Sequence, residues 1–246
     1  VPAFLGEKDV RKALQLLPGV SGGGEGQSGI YVRGGGPDQN LILLDGVPVY
    51  NVSHLFGFFS VFNPDAVKDV SLIKGGFPAR YGGRLSSVIE INMKEGNENE
   101  FHGEGTIGLI ASKLTLEGPI KKGKSSFIVS GRRTYIDILA RPLIKAGFKA
   151  DGSDGVVGYF FDDVNAKVNY KFSEKDRVFL SFYAGQDKFY FNIEENDEEY
   201  EDRFKAGLGW GNITTALRWN HIWTPKLFAN STLTFSRYKF ETSNGF

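Results

Sequence analysis

Hydrophobic and polar residues alternate with a period of two through much of the second half of this 246-residue chain. Over residues 159–172, Phe160, Val164, Ala166, Val168, Tyr170 and Phe172 fall on one side, and Asp163, Asn165, Lys167, Asn169 and Lys171 on the other. Residues 177–184 set Val178, Leu180, Phe182 and Ala184 against Arg177 and Ser181. Residues 213–223 set Ile213, Leu217, Trp219 and Trp223 against Asn212, Thr214, Arg218 and Asn220. Such alternation predicts strands, and it suits a half-buried soluble sheet as well as the wall of a membrane barrel. Loop lengths separate the two. Short turns are read at 121–124, 173–176 and 224–225, and long connections at 140–158 and 194–205. Alternating short and long connections are the mark of an outer-membrane barrel.

If the first half of the chain lies on the short-turn side, strand parity constrains the segment after residue 100. Residues 101–117 must then be two strands with a tight bend near 110–112, not one long strand, giving about seven strands by Phe246. Phe160, Val164, Val168, Phe182, Leu217 and Trp219 are expected to face lipid, and Asn165, Lys167, Asn169 and Arg218 the lumen. Trp219, Trp223 and Tyr238 near strand ends fit an aromatic girdle. The stretch after residue 100 is expected to contain antiparallel strands only.

The first half is patterned differently. Residues 30–94 hold three short β-type runs, at 30–33, 41–44 and 88–92, separated by glycine-rich turns. Residues 7–17 predict a helix: Val10, Ala13, Leu14 and Leu17 recur at helical spacing, Glu7 and Asp9 open it, and Pro18 with Gly19 stops it. A second short helix is expected at 64–69, capped by Asn63 with Pro64 in its first position. The fold class expected is thus an α+β domain over residues 1–97, followed over 98–246 by antiparallel transmembrane strands that form an incomplete barrel. The polar stretch 96–100 links the two.

Composition narrows the chemistry. The chain carries 32 Gly, 21 Phe and 10 Tyr, which favours strands and tight turns over a helical core. Formal net charge is zero, so nothing points to nucleic acid as a partner. With no cysteine, thiolate metal sites and thiol catalysis are excluded. No apolar run approaches the 18 or so residues of a membrane helix.

The ordered motifs LPGV (17–20), YVRGG (31–35), LLDGVPVYN (43–51), NPDAVKDVSLIKGG (63–76) and ARYGGRLSSVIEI (79–91) closely resemble the plug domain of TonB-dependent outer-membrane receptors. The fuller wording, with HLFGFFSVFNP, EGPI and SGRRTYID, is similar to the Bacteroidetes branch. The resemblance covers nearly the whole chain. It implies a plug seated in a barrel of about 22 strands, in the Gram-negative outer membrane, taking up a scarce solute. The implied partners are the TonB–ExbB–ExbD energy-transducing complex, outer-membrane lipid, a small solute and a surface lipoprotein. No TonB box is read before Val1. The resemblance places the plug's outward apices at Glu25 and Gln27, at Asp38, Gln39 and Asn40, and at Tyr50, Asn51 and His54. It also implies that Arg33, Arg80 and Arg84 lock the plug to acidic residues of the barrel wall, since a buried guanidinium is tolerated only when paired.

Other motifs lead elsewhere and fail. GPIKKGKS (118–125) fits the P-loop pattern, but phosphate binding needs a helix N-terminus after the loop, and SSFIVSGRR alternates like a strand. A hairpin turn is expected there. The glycine runs at 22–24 and 34–36 open no helix and read as turns. His54, His102 and His221 lack ligand spacing, the carboxylates form no catalytic pair, and Ser86 and Ser87 sit in a strand. Neither catalytic residues, nor a metal, nor a cofactor are expected. The competing reading is a soluble β-rich ligand-binding module with an α/β appendage.

Overall fold

The computed structural model describes residues 3–4, 7–8, 10–22, 29–150, 152–197 and 200–245. Its N-terminal unit holds helix α1 (Val10–Gln15) and a four-stranded mixed sheet of β1 (Asn40–Leu44), β2 (Val47–Pro48), β3 (Val67–Ile73) and β4 (Ser87–Met93), in the order β2-β1-β4-β3. β1 runs parallel to β4, whereas β3 and β2 pair antiparallel at the edges. The central pair reads as near-continuous apolar sequence because both its faces are covered. On one face Ile42, Leu44, Ile89 and Ile91 pack with Val10, Leu14, Val61 and Phe62, and on the other Leu43 and Val88 meet Tyr81. The turn from β1 to β2 is Asp45-Gly46, both at positive φ (48° and 84°), the geometry of a two-residue hairpin turn.

Two expected helices change. Residues 7 and 8 are extended and pair with Ala3–Phe4, so α1 starts only at Val10. At 64–69 the first turn forms: Asn63 Oδ1 accepts the Asp65 N–H at 3.1 Å and Asn63 O accepts the Ala66 N–H at 3.1 Å. It does not propagate. Val67 onward pairs with β4 instead, because sheet partners outweigh a one-turn helix that has no further stabilisation.

The second unit is one seven-stranded antiparallel sheet in strict sequence order. Its strands are β5 (His102–Ile107), β6 (Ala111–Lys121), β7 (Ser125–Thr134), β8 (Asp154–Lys171), β9 (Asp176–Asp197), β10 (Tyr200–Thr224) and β11 (Leu227–Gly245). The reversal required by parity is present: β5 turns back into β6, closed by the Gly108 N–H to Ala111 O bond at 2.9 Å. GPIKKGKS is the hairpin between β6 and β7, with Gly123 at φ 67° and Lys124 N–H donating to Lys121 O at 2.9 Å.

Two features of this unit differ from expectation. The connection after β7 contains helix α2 (Ile136–Ala150), so the unit is not strands alone. Asp137 in the first turn and Lys149 in the last complement its dipole. Its end is closed by Ser153 N–H to Phe148 O at 3.0 Å with Gly152 at φ 79°. The acidic stretch 194–205 is not a long loop either: β9 and β10 continue pairing up to Asp197 and Tyr200.

Alternation sorts the wall's two faces as expected. Val164, Val168, Phe182, Leu217 and Trp219 are exposed on the outward face. Phe160, on the same face, is partly covered by the Arg133 guanidinium, 4.6 Å above its ring. Asn165, Lys167 and Asn169 are buried against the N-terminal unit, and Arg218 is half-buried there.

Candidate interface and outer cleft

The N-terminal unit meets the inner face of the wall through an apolar cluster, Phe59 and Leu55 against Tyr159, Phe161 and Trp210, and through a series of polar groups whose order follows the pleat. Nearest the short turns, Arg177 pairs with Glu98 and, at 3.3 Å, with Glu95. Asn169 Nδ2 and Ser126 Oγ donate to Glu95 O at 3.0 and 2.7 Å. Next along β8, Lys167 Nζ lies 3.0 Å from Asp45 Oδ2 and donates to Met93 O at 3.1 Å; the Lys167 and Asp45 side chains are at most 6% exposed. Asp45 also accepts the Met93 N–H at 3.0 Å, so the hairpin turn presents its carboxylate to the wall. Alongside, Lys113 pairs with Asp65 at 2.8 Å and Asn63 Nδ2 donates to Ser130 Oγ at 2.6 Å.

Higher still is the densest cluster. Arg132 Nη2 donates to Asp163 Oδ2 at 2.6 Å and to Ser60 O at 2.7 Å. His54 is clamped between two carboxylates, Nε2 to Asp163 at 3.2 Å and Nδ1 to Asp187 at 2.7 Å. Its ring stacks on Phe161 with centroids 4.1 Å apart. Both ring nitrogens face acceptors, which is the arrangement of an imidazolium. Burial pushes the His54 pKa down, but hydrogen bonds and charge from Asp163 and Asp187 more than offset it, leaving it above the ordinary histidine value. With Arg132 positive, two cations then face two carboxylates, and the buried charge is balanced. The next residue, Leu55, sits at φ 49°, uncommon for a bulky side chain. It is held there by its N–H, which donates to Tyr159 Oη at 2.5 Å and Asp187 Oδ1 at 3.1 Å. Tyr159 Oη in turn bonds Asp187.

On the side of the long connections an open cleft of about 590 Å³ is lined by Tyr31, Asp38, Asn40, Tyr50, Asn51 and Arg84, among others. Tyr50 is anchored to the wall through its backbone, its N–H donating to Asn212 Oδ1 at 3.1 Å and its O accepting from Asn212 Nδ2 at 2.6 Å. That leaves the Tyr50 ring exposed, tilted towards Tyr238 with centroids 6.3 Å apart.

The structure therefore sorts the expected apex residues. Asp38, Tyr50 and Asn51 are exposed and come together at the cleft. Gln39 is half-buried, and its backbone O accepts from Leu85 and Ser86 N–H at 3.2 and 2.9 Å. Asn40 is 5% exposed, with its amide spent on Ile30 O at 2.6 Å and the Ser87 hydroxyl at 2.7 Å. His54 lies in the interface, not at the apex. Glu25 and Gln27 lie outside the described residues.

The arginines expected to lock the two units do not reach these seven strands. Arg33 is exposed, Arg80 donates to Tyr81 Oη at 2.6 Å, and Arg84 donates to Gly83 O at 2.7 Å. The polarity is largely the reverse of that expected: Lys113, Lys167 and Arg177 of the wall reach carboxylates of the N-terminal unit, with His54 the one cation among these pairs pointing the other way. The missed signal was Lys167, Asn169 and Arg177 on the polar sides of their strands. Charges on a lumen face need partners, and Asp45, Asp65, Glu95 and Glu98 were available.

Residues 4–88 match the family model "TonB-dependent Receptor Plug Domain". The ferrienterobactin receptor of Escherichia coli (strain K12) is 30% identical over 142 residues, covering 50% of this chain and 19% of that protein. Among solved structures, the siderophore receptor PirA from Acinetobacter baumannii superposes with a TM-score of 0.51 at 18% identity, covering 93% of this chain and 45% of that one. A ferric enterobactin receptor mutant from Pseudomonas aeruginosa, in complex with enterobactin, gives 0.50 at 18% identity, covering 96% and 47%. These superpositions show the fold: a plug domain followed by antiparallel strands arranged like those of the two receptors' barrels. The chain spans about a fifth of the curated relative and under half of the two solved chains.

Proposed function

We propose that this chain supplies the plug (residues 1–97) and the first wall strands (98–246) of a TonB-dependent receptor that takes up a scarce solute across the Gram-negative outer membrane. The observation that carries the reading is the plug-family match at 4–88 in a unit seated by the buried Lys167–Asp45 and Lys113–Asp65 pairs on the inner face of an alternating antiparallel wall. A barrel wide enough for a large solute must be closed at rest, and the plug closes it. Ferric siderophores are the substrate class the relatives' names support. Asp38, Tyr50 and Asn51, with Arg84 beside them, would meet the solute at the outer cleft, and Glu25 and Gln27 would extend that surface.

Binding and gating suffice, with no bond made or broken in the solute. Energy would come from TonB with ExbB and ExbD, pulling on the N-terminal end, and the motif wording supports a Bacteroidetes-type receptor with a surface lipoprotein partner. Arg33 and Arg80 would meet carboxylates of wall strands beyond these seven. Influx of a large, normally excluded antibiotic into cells carrying Arg80→Ala tests that part, unchanged exclusion counting against it. The reading as a whole is tested with the full-length receptor in cells: accumulation of radioactive iron supplied as ferric enterobactin and other ferric siderophores, with and without TonB. Accumulation of at least one that needs both receptor and TonB is expected. A receptor that stays soluble without detergent would instead favour the β-rich soluble module.

A further inference from the structure

The outward face of the wall is hollowed at one place. Gly207, Gly209 and Gly211 take successive outward positions on β10, opposite Tyr190, Lys188 and Gln186 of β9 and Ser243, Glu241 and Lys239 of β11. Without side chains on the middle strand, a groove of about 460 Å³ opens between its neighbours. Lys188 flanks it on one side, and Arg237 and Lys239 on the other. Of the acidic groups, Glu241 is paired with Lys239, and Asp162 accepts from Gln186 Nε2 at 3.2 Å. Among the described residues Lys188 and Arg237 have no acidic partner, and both are exposed. Three cations against Glu241 and Asp162 leave the groove positive by one charge.

Its height is set by the band below it. Towards the short turns the same outward face carries Ile213, Leu217, Trp219 and Trp223 on β10, Leu180 and Phe182 on β9, and Leu233 and Phe235 on β11, all exposed. Residues 213–223 have the length a tilted strand needs to cross the hydrocarbon, about 9–11 residues. The glycine groove begins one outward position above that band, on the side of helix α2, which on the membrane reading is the level of outer-leaflet headgroups.

We propose that this groove binds a phosphate-bearing lipid of the outer leaflet, its phosphate held between Lys188 and the Arg237–Lys239 pair and its acyl chains lying on the apolar strip below. The inference rests on the membrane-barrel reading above. Lys188 and Arg237, neither held by a carboxylate, suit a phosphate, for which the arginine fork is well shaped. The adjoining apolar strip favours a lipid over a free anion.

The test uses the full-length receptor in detergent micelles doped with diphosphorylated lipid A or with its dephosphorylated counterpart, bound lipid being counted by native mass spectrometry. The receptor is expected to prefer the phosphorylated lipid by about fivefold, the worth of one excess cation near a charged lipid surface. Lys188→Gln with Arg237→Gln should abolish the preference. Gly209→Leu should lower binding while keeping every charge; a Cβ there meets the Asp187 backbone oxygen at 3.5 Å, an ordinary contact, so the strand accommodates it. No preference, a preference that survives the double substitution, or displacement of the lipid by millimolar inorganic phosphate would overturn the assignment. Insertion of the same receptor into phosphatidylcholine vesicles is scored separately: failure there overturns the membrane reading itself, whereas insertion without lipid preference overturns only this inference.

Discussion

Replacing Lys167 by Met isolates the worth of one buried charge pair, because the stem is kept and only the ammonium is lost. Lys167 Nζ lies 3.0 Å from Asp45 Oδ2. At an effective dielectric near 20 the attraction at that separation is about 5–6 kcal/mol. Both groups were desolvated to form the pair, so its net worth is smaller, but Lys167→Met leaves Asp45 buried with only the Met93 N–H as donor at 3.0 Å. Stranding one member of a buried pair typically costs about 3–5 kcal/mol. The chain has no cysteine, so Ala66→Cys, at a buried position of the plug, provides a unique label site within it. Thiol labelling across a urea series in micelles then reports plug release. Lys167→Met should move the release midpoint down by that amount, and adding Asp45→Asn should recover most of it, since an amide tolerates the site uncharged. An unchanged midpoint in the single variant, or a double variant no better than the single, would refute the claim that this pair seats the plug.

Three further outcomes are expected. The raised pKa of His54 means its contribution to seating is complete below its unfolded value, about pH 6.5, and fades as pH rises through the higher folded value; the same labelling assay should show protection falling with rising pH, and a His54→Gln variant that keeps the slope would remove His54 as its source. Val168→Arg, on the outward face, should impair assembly into vesicles by about 2–4 kcal/mol, whereas Asn169→Arg should spare assembly but loosen the rung that holds Glu95 O; equal assembly defects would count against the membrane wall. Arg132→Ala, which strips Asp163 of its strongest partner, should admit a large antibiotic that the intact receptor excludes, and retained exclusion would show that the upper cluster does not gate.

The strands were legible because period two survives wherever one face is exposed and apolar and the other is covered and polar; Asn165, Lys167 and Asn169 sit on the face their alternation assigns. The reversal at 108–110 needed parity as well as pattern. Helix α2 was hidden by Pro142 and Gly147 inside it, two residues that argue locally against a helix, and by the Gly/Asp-rich stretch after it. The short helix at 64–69 failed for the opposite reason, a correct cap followed by residues that sheet pairing claimed. At the outer cleft, Asp38, Tyr50 and Asn51 lie together where the resemblance to the plug motifs puts them, on exposed loops. The interface polarity was not legible, because which unit supplies the cation depends on register between strands far apart in sequence: Lys167 and Asp45 are separated by 122 positions, His54 and Asp187 by 133.

Those separations bear on the order of assembly. The plug leaves the ribosome long before the strands that hold it, and it must wait in water with its wall-facing surface bare. That surface displays Asp45, Asp65, Glu95 and His54, groups that water solvates well, and its apolar part is confined to the small patch around Leu55 and Phe59, too small to recruit other chains strongly. A greasy seal would hold more tightly once made but would be a hazard during every minute before closure. The charged seam thus lets one surface stay soluble while unpartnered and become buried when the wall arrives, and it would let that surface return to water if the proposed gating draws the two apart.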